Sequence, residues 1–409
     1  MRIALYYPWI YLTSGLERTL LEVTGRSRHE WTLYTSFFRP EHTYTGLAAR
    51  KVVTVGSVSV SRDIKNVAKS ALKIAQLRLP MEKHDLLVVA SEGLGDFIVF
   101  RNSQRPVLCL CFTPLRAVFD PEYRERAHKQ RGAIGRFALH AGSWAFRLFD
   151  RLAWKQYARV LCISRESRNR ALAGRLTDEE KIEILHPAPG FGSVAGLSER
   201  FDRYFLLPGR IMWTKNLELG IEAFRKFRAG EPAFHDFRLI IAGIVDKKSE
   251  PYYQRLCALA TNDPNIEFRV LPSDQELAEL YRNCYGVLFT AFNEDWGLVP
   301  LEAMSFGKPV VAVNRGGPRE TIDPGVQGFL EESIPAAFAA RMAELARDSE
   351  LCRRMGRAGF ERSKQYSWDA FTTRIDDEAD RLCTSSTQAS RVLEASRTTQ
   401  QEEQLAERI

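Results

Sequence analysis

The chain carries two carboxylates at a fixed separation: Glu294 and Glu302, with seven residues between them, in the segment 290–321 (TAFNEDWGLVPLEAMSFGKPVVAVNRGGPRET). A carboxylate at position 302 can accept hydrogen bonds from both hydroxyls of a ribose diol, and one at position 294 can approach a sugar. Alternatively, Glu302 only complements a helix dipole and Glu294 is an ordinary loop charge. That alternative explains each acid separately, but not their joint placement with the glycine turn at Gly316-Gly317.

The elements that must position these acids alternate between strand and helix. Tyr285–Phe289 is apolar and β-prone, and Val310–Val313 is typical of a buried parallel strand. Between them, Pro300 suits the first turn of a helix and Gly307 suits its carboxyl-terminal cap. Such units bind ligands at the carboxyl edge of the strands, where helix amino termini attract anions. Unpaired N–H groups beside two acids suit a ligand with a phosphate and many hydroxyls, such as a nucleotide sugar.

Two cations follow an earlier strand of the same half of the chain. The strand is expected to end at Pro208-Gly209; Arg210 and Lys215 follow, and a helix is expected to start near Asn216, a good N-cap residue. Arg210 can hold phosphate oxygens with two N–H groups, and Lys215 can act as a mobile point charge. Taken alone, the pair is typical of two exposed loop cations. Its predicted position at the same sheet edge as the acids favours a pyrophosphate clamp.

The chain of 409 residues is long enough for two domains, and strand-like and helical segments alternate along it. We therefore expect an α/β protein with one domain at 1–200 and a second at 201–365, joined near a Pro-, Gly- and Ser-rich linker at 186–203. A helix at 366–383 is expected to return to the first domain. The polar tail at 384–409 is expected to be disordered.

The sequence pattern also predicts the individual elements. The predicted strands are Ile3–Tyr7, Trp31–Thr35, Val52–Val55, Leu86–Ala90, Val107–Cys111, Val160–Ile163, Ile182–Leu185, Tyr204–Leu207, Leu239–Gly243, Ile266–Leu271, Gly286–Phe289 and Val310–Val313. Helical periodicity is found at Glu17–Val23, Asn66–Leu77, 335–346 and 349–383.

Composition argues against several classes of protein. No apolar run approaches the ~18 residues of a membrane-spanning helix, and the start of the chain lacks a signal-peptide cleavage site. The seven cysteines are scattered in apolar contexts, which favours reduced core thiols and a cytoplasmic location. The chain has no glycine-rich dinucleotide turn after its first strand and no GxxxxGK[ST] loop, which argues against a dehydrogenase, a kinase or an ATPase.

Much of the net charge of +7 comes from residues 121–160, which hold nine Lys or Arg and three Asp or Glu. Trp144, Leu148 and Leu152 recur there at helical spacing. We favour a surface helix that buries this stripe and exposes a basic face. The alternative is a docking surface for anionic lipid head groups, which would make the protein peripheral at a membrane. No nucleic-acid-binding motif accompanies the charge, so nucleic acid is not an expected partner.

The segment from Phe292 to Gly317 resembles the signature of glycosyltransferase family 4, whose members are retaining enzymes with the GT-B fold. The resemblance extends to about residue 383. It runs through GRIMWTKN at 209–216, IAG at 241–243, PSDQELAELYRNC at 272–284, YSWDAF at 366–371 and, more weakly, SGLERTLLE at 14–22. It implies two Rossmann-like domains that face each other across a cleft, with the acceptor in the amino-terminal domain and a nucleotide sugar in the carboxy-terminal one.

Carried over to this chain, the resemblance implies that Glu294 is catalytic and contacts the transferred sugar. It implies that Glu302 binds the ribose and that Arg210 and Lys215 hold the diphosphate. The other implied donor contacts are Gly15, Asp295 and the backbone N–H groups of Gly297, Leu298 and Val299. The implied base contacts are Leu271, Pro272 and Ser273. The resemblance implies no metal and no other cofactor, because the cations and a helix dipole neutralise the leaving group.

Two residues depart from the family pattern. Phe112 stands where many members have a His before Thr-Pro, so the hydroxyl contact or proton role of that His is missing. His84 and His186 are the candidate substitutes. Val270 stands where a Gly is usual in the base-binding loop. Neither change affects the phosphate clamp.

The sequence therefore predicts a retaining glycosyltransferase that moves a hexose from a nucleoside diphosphate sugar to a hydroxyl of a glycan or lipid-linked acceptor. The stretches WGLVPLEAM and VAVNRGGP resemble mannosyltransferase members best, which favours GDP-mannose as the donor. Two alternatives share the fold. One is a nucleotide-sugar epimerase, and the other is a catalytically silent scaffold that docks on a membrane through residues 121–160.

Overall fold

The computed structural model describes residues 1–60, 64–129, 133–385 and 388. The chain divides into two compact units: unit 1, Met1–Leu185 with Trp368–Ile409, and unit 2, His186–Ser367. The division falls before the predicted boundary at residue 200. Residues just before that boundary belong to unit 2 because their backbone is hydrogen-bonded to unit 2. For example, the Ser198 N–H donates to the Phe306 carbonyl at 3.1 Å.

Unit 1 is built on a seven-stranded parallel sheet in the order β5-β3-β1-β6-β7-β8-β9, and a separate short pair joins β2 to β4. The strands are β1 (Arg2–Tyr6), β2 (Trp9–Ile10), β3 (Glu30–Thr35), β4 (Phe37–Phe38), β5 (Val52–Thr54), β6 (Leu86–Ser91), β7 (Val107–Cys111), β8 (Arg159–Cys162) and β9 (Ile182–Ile184). Every residue of β6 and β7 is buried, because helices cover both faces of a parallel sheet and leave no polar face.

Helices connect these strands. They are α1 (Gly15–Arg26), α2 (Thr45–Ala48), α3 (Ile64–Gln76), α4 (Arg116–Phe119), α5 (Pro121–Lys129), α6 (Ala133–Trp154) and α7 (Arg165–Ala173), and a 3-10 segment at Leu94–Arg101 joins β6 to β7. Right-handed crossovers place α3, the 3-10 segment and α6 on one face of the sheet. The 3-10 segment packs against both of these helices.

Unit 2 contains a six-stranded parallel sheet in the order β12-β11-β10-β13-β14-β15. The strands are β10 (Tyr204–Pro208), β11 (Arg238–Gly243), β12 (Ile266–Val270), β13 (Gly286–Phe289), β14 (Val310–Val313) and β15 (Gly328–Glu331). The helices are α8 (Leu217–Gly230), α9 (Glu250–Ala260), α10 (Asp274–Asn283), α11 (Leu298–Ser305), α12 (Pro318–Thr321), α13 (Pro335–Arg347) and α14 (Ser349–Ser363). All twelve predicted strands of the chain are confirmed to within one residue at each end.

A last helix, α15 (368–385), belongs to unit 1. Its Asp376 carboxylate accepts hydrogen bonds from the Ser27 hydroxyl at 2.6 Å and the Arg28 N–H at 3.0 Å, and its Arg374 guanidinium donates to Glu183 at 2.6 and 2.7 Å. The expectation of helix throughout 349–383 is wrong at residues 364–367, where the chain leaves α14 and Tyr366 packs its ring within unit 2. Most of the predicted polar tail lies outside the described residues.

The expected burial of the apolar stripe on α6 is wrong. Trp144 is 71% exposed, Leu148 47% and Leu152 42%. The arginines between them turn back to the protein: Arg147 donates to the Val118 carbonyl at 2.9 Å and Arg151 to the Gly174 carbonyl at 3.0 Å. The outward face of this helix is therefore apolar, although within the described part of the chain no helix combines the length and hydropathy needed to cross a bilayer.

The inward face of α6 carries a buried acid, Asp150. Neither carboxylate oxygen of Asp150 has a hydrogen-bond partner among the described residues. Nearby, the buried Asp96 accepts hydrogen bonds from Ser91 at 2.9 Å, from Trp154 at 3.3 Å and from the Tyr157 hydroxyl. Burial raises the pKa of Asp96 to about 6 and, together with the charge of Asp96, raises the pKa of Asp150 well above its usual value.

We predict that unit 1 loses stability as the pH rises from about 4 to above about 6, because both acids bind protons more tightly in the folded chain than in the unfolded chain. The contribution of the two acids to the free energy of unfolding is complete below their pKa in the unfolded chain. It is lost as the pH rises past their pKa in the folded chain. The variant Asp150→Asn should flatten this loss. Thermal unfolding at about pH 5 and about pH 7.5 measures the effect. Glu82→Gln, which changes an exposed acid, is the control, and an equally steep loss in Asp150→Asn and in the unchanged chain would contradict the prediction.

Candidate functional site

Two loops are joined at the carboxyl edge of the unit 2 sheet. The loop 209–216 follows β10 and the loop 290–297 follows β13, and these two strands are neighbours in the sheet. The Phe292 N–H donates to the Thr214 carbonyl at 2.9 Å, and the Thr290 hydroxyl donates to the Lys215 carbonyl at 2.7 Å. The structure therefore brings together the two segments in which the sequence predicted cations and acids.

The joined loops place Lys215 against Glu294. The ammonium donates to the Glu294 carboxylate at 2.7 Å, with 15% of the lysine side chain and 28% of the glutamate side chain exposed. The ammonium also lies 5.9 Å from the centre of the Phe289 ring. A half-buried ion pair next to an aromatic ring is only partly screened by water. It offers a cation for an anionic group and a carboxylate for hydroxyls or developing positive charge.

Arg210 stands two residues after the end of β10, at the same edge. Within the described residues its guanidinium has no hydrogen bond or ion pair, and the side chain is half-exposed. The turn before Arg210 requires a glycine at position 209, because Gly209 has φ +132°. The neighbouring strand β11 also ends in a glycine, since a Cβ on Gly243 would lie 1.8 Å from the Gly209 carbonyl oxygen. The structure thus places a cation with an uncommitted guanidinium on the loop that also carries Lys215.

Asn216 occupies the predicted start of α8 but does not cap it in the expected way. Asn216 adopts a left-handed conformation, with φ 50° and ψ 49°, and its side chain makes no capping hydrogen bond. The Leu217 N–H instead donates to the Tyr252 hydroxyl at 3.0 Å. A tyrosine from α9 satisfies the first helical donor, which sequence proximity could not reveal.

The helix α11 begins directly after the acidic loop. Gly297, with φ +80°, occupies its N-cap position, and no side chain among the described residues caps the helix. The backbone N–H groups of Leu298 and Val299 are therefore those of an uncapped first turn, the kind that binds anions. Asp295, half-buried, lies in the loop just before.

Glu302 is the fifth residue of α11, one turn beyond these N–H groups. The Tyr281 hydroxyl donates to one carboxylate oxygen at 2.8 Å. Burial raises the pKa of Tyr281 well above its usual value, so the phenol keeps its proton and remains a donor. Tyr281 therefore fixes the orientation of Glu302, and the glutamate is positioned to accept further hydrogen bonds from hydroxyls.

The glycine turn packs directly on the acidic loop. A Cβ on Gly316 would lie 2.2 Å from the Glu294 carbonyl oxygen, and one on Gly317 would lie 1.8 Å from the Trp296 carbonyl oxygen. The Gly317 N–H donates to the Glu294 carbonyl at 2.8 Å. These distances give a physical reason for the two glycines: any side chain here would push the loop that carries Glu294 out of position.

Trp296 is a feature that the sequence analysis missed. Its indole is 3% exposed, stacks on the His186 ring at 4.2 Å, meets the Tyr366 ring edge-on at 5.5 Å and donates to the Pro187 carbonyl at 3.2 Å. The aromatic residue between Asp295 and Gly297 was a signal that a buried anchor lay within the loop. The partners of Trp296 lie too far away in sequence to have been identified.

The predicted base contacts lie at the same edge but on the outermost strand. Leu271 follows β12, is 70% exposed and has φ 56°, and Ser273 caps α10 by accepting from the Glu276 N–H at 3.1 Å. Three strand spacings, about 14 Å, separate β12 from β13. Only an extended ligand would contact this loop, with Pro272 at its centre, and Glu294 together.

The remaining predicted residues lie elsewhere. Gly15 is the first residue of α1 in unit 1. His84 precedes β6 and bonds to the Tyr34 hydroxyl at 2.9 Å, whereas Phe112 follows β7. His84 and Phe112 therefore lie at opposite edges of a parallel sheet, so His84 is not a substitute for the missing histidine. His186 packs on Trp296, in unit 2.

The fold and this edge define a class of protein. Both units are Rossmann-like, and the chain matches solved structures over nearly its whole length. One is the Anabaena protein Alr3699/HepE in complex with UDP and glucose (TM-score 0.68, 16% identity, 93% of this chain and 99% of that chain). Another is sucrose-phosphate synthase from Thermosynechococcus elongatus (TM-score 0.71, 15% identity, 94% of this chain and 100% of that chain). The fold is GT-B, which confirms the expected α/β class.

Residues 197–362 match the family described as Glycosyl transferases group 1. The matched segment 197–362 contains every predicted site residue except Gly15. The chain is 37% identical to human alpha-1,3/1,6-mannosyltransferase ALG2 over 171 aligned residues. The aligned region covers 39% of this chain and 41% of that protein. The mouse protein of the same name is 31% identical over 211 residues, 47% of this chain and 51% of that protein. The chain thus spans about half the length of the curated relatives it matches, and the resemblance drawn from the motifs is confirmed.

We predict that Gly317→Ala destabilises unit 2 by about 1–3 kcal/mol, because the new methyl group must displace the Trp296 carbonyl and its loop. Thermal or denaturant unfolding measures this change. Gly230→Ala is the matched control, since a Cβ there meets no atom within 4 Å. Equal stabilities of the two variants would contradict the close packing of the glycine turn.

Proposed function

We propose that the protein is a retaining glycosyltransferase that transfers a hexose from a nucleoside diphosphate sugar to a hydroxyl acceptor. The observation that carries the proposal is the 2.7 Å pairing of Lys215 with Glu294 beside the uncapped amino terminus of α11. This arrangement puts a mobile cation, free N–H groups and two carboxylates at one sheet edge. A diphosphate flanked by two sugars requires these groups in this proximity.

The diphosphate would be held by the side chains of Arg210 and Lys215 and by the N–H groups of Leu298 and Val299. Arg210 has its guanidinium uncommitted within the described residues, so it can grip a phosphate without first breaking another contact. Lys215 would move its hydrogen bond from Glu294 to the phosphate. The positive end of α11 would further stabilise the negative charge that develops on the leaving group.

Glu302 would accept hydrogen bonds from the ribose hydroxyls. Tyr281 already donates to one of its oxygens, so the carboxylate reaches a bound nucleoside in a fixed orientation and loses little rotamer entropy. Leu271, Pro272 and Ser273 would contact the base at the far end of an extended donor. Gly15 in unit 1 and Asp295 are proposed as further donor contacts by resemblance.

The transfer itself would proceed on one face of the sugar. The bond from the anomeric carbon to the phosphate oxygen breaks, the acceptor oxygen forms its bond to the same carbon, and the departing phosphate oxygen takes the acceptor proton. Glu294, released from Lys215 by the diphosphate, would stabilise the positive charge that develops on the sugar. Catalysis would then rest on positioning and electrostatics.

The donor is proposed to be GDP-mannose, and the acceptor a glycan or a lipid-linked glycan precursor. Two similar relatives are named alpha-1,3/1,6-mannosyltransferases, which supports mannose as the transferred sugar. We propose no resident metal or cofactor, because the two cations and α11 are assigned the neutralisation of the leaving group. All seven cysteines are free, which supports a reducing compartment such as the cytoplasm.

We predict that Lys215→Ala weakens binding of GDP about 10–100-fold, because one charge-assisted hydrogen bond to phosphate is lost. Isothermal titration with GDP, UDP and ADP measures the loss and identifies the base in the same experiment. Lys226→Ala, which changes an exposed lysine on α8 away from the edge, is the control. If no nucleoside diphosphate binds the unchanged chain, the proposed donor site is wrong.

We predict that Glu294→Gln lowers kcat about 100–1000-fold while the affinity for GDP stays within about threefold, because the lost charge acts on the transition state. Product formation with GDP-mannose, followed by NMR of the new linkage, also reports whether the anomeric configuration is kept. Chelation of metals by EDTA should leave the rate unchanged. An inverted product, or a rate in Glu294→Gln equal to that of the unchanged chain, would count against the proposed mechanism.

A further inference from the structure

The outward face of α6 carries an apolar stripe, formed by Trp144, Leu148, Phe149 and Leu152. These side chains are 71%, 47%, 54% and 42% exposed. They stand at spacings of four, one and three residues, so they share one side of the helix. Single exposed apolar residues are common on protein surfaces, but four on one helix face mark a surface that binds something.

The surroundings of this stripe are basic. The acid of α6, Asp150, is fully buried behind the helix. Arg147 and Arg151 are held on the flanks of α6 by backbone carbonyls, and Lys155 is exposed just after the end of the helix. The surface thus has an apolar centre and a positive rim.

A cationic pocket lies on the same face of the unit 1 sheet. It has a volume of about 610 Å³ and is lined by Arg78, Arg101 and Arg105, together with Glu82 and the aromatic ring of Phe100. Among the described residues these three guanidinium groups form no ion pair. Because the pocket precedes β6 and β7, it lies at the amino edge of the sheet, opposite the edge where parallel sheets bind substrates.

Aromatic packing connects the pocket to the stripe. Phe100 stacks on Phe97 at 5.9 Å, and Phe97 contacts Phe146 of α6 at 5.2 Å. The pocket and the helix therefore pack against each other through the buried Phe97 and belong to the same layer of unit 1. An apolar stripe with a tryptophan, a basic rim and a pocket of phosphate-binding residues is the combination that interfacial membrane helices use.

We propose that this surface docks unit 1 on an anionic lipid bilayer. The stripe of α6 enters the interfacial region, and the arginine pocket binds lipid phosphates. A second copy of the chain fits less well, because a two-fold interface would bring the same positive rims together. The proposal does not depend on the proposed transfer reaction, since none of these residues belongs to the unit 2 edge.

The test is co-sedimentation of the full chain with vesicles of phosphatidylcholine alone and of equal parts phosphatidylcholine and phosphatidylglycerol. We expect binding to the anionic vesicles at least about tenfold stronger, and weaker binding as salt rises. The double variant Trp144→Ser, Leu148→Ser should lower this binding about tenfold or more. Ile334→Ser, which removes a 54% exposed apolar side chain from unit 2, is the matched control and should bind normally.

A second variant separates the charge from the stripe. Arg101→Gln with Arg105→Gln should reduce the preference for phosphatidylglycerol about tenfold or more, since each cation near the surface adds about a factor of five. All changed residues are exposed, so unchanged circular dichroism and Tm are expected to show that the fold is kept. Equal binding by the unchanged chain and both double variants, or no binding to either vesicle, would overturn the proposal. A dimer in solution that dissociates in Trp144→Ser, Leu148→Ser would also overturn it, because the stripe would then belong to a second copy.

Discussion

The candidate site depends on the close approach of backbone to backbone at the carboxyl edge of unit 2. The loop that carries Glu294 lies between the 209–216 loop on one side and the Gly316-Gly317 turn on the other. Each hydrogen bond of this kind contributes about 1 kcal/mol, whereas a partly exposed ion pair such as Lys215–Glu294 contributes about 0–1 kcal/mol. The loops therefore position the charges. The charges themselves contribute little to holding the loops.

The sequence was sufficient to predict the positions of the strands, because buried parallel strands are short apolar runs bounded by turn residues. The strands β6 and β7 show this pattern clearly. It was also sufficient to bring Arg210, Lys215 and the two glutamates to one sheet edge, since β10 and β13 each deliver a loop there. It was insufficient for α6. Helical periodicity shows which residues share a face, but not which face turns inward, and here the inward face holds Asp150 while the outward face holds Trp144. Hydrophobicity alone predicts the reverse.

The contacts of Trp296 show a second limit of sequence reasoning. The indole joins the acidic loop to Pro187 and His186, next to the point where the chain enters unit 2, and to Tyr366, next to the point where it leaves. No local pattern encodes such contacts, because each partner is at least seventy positions away along the chain. The consequence is mechanical: the loop that holds Glu294 is anchored at both passages of the chain between the units.

Unit 2 is a continuous stretch inserted into unit 1, and this has a consequence for the order in which the protein forms on the ribosome. All strands and helices of unit 2 have been synthesised before α15 emerges, yet α15 supplies the partners of Ser27, Arg28 and Glu183. Domains generally fold in the order of their synthesis. In this chain the nascent amino-terminal half must wait for these three partners until the whole insertion behind it has been synthesised.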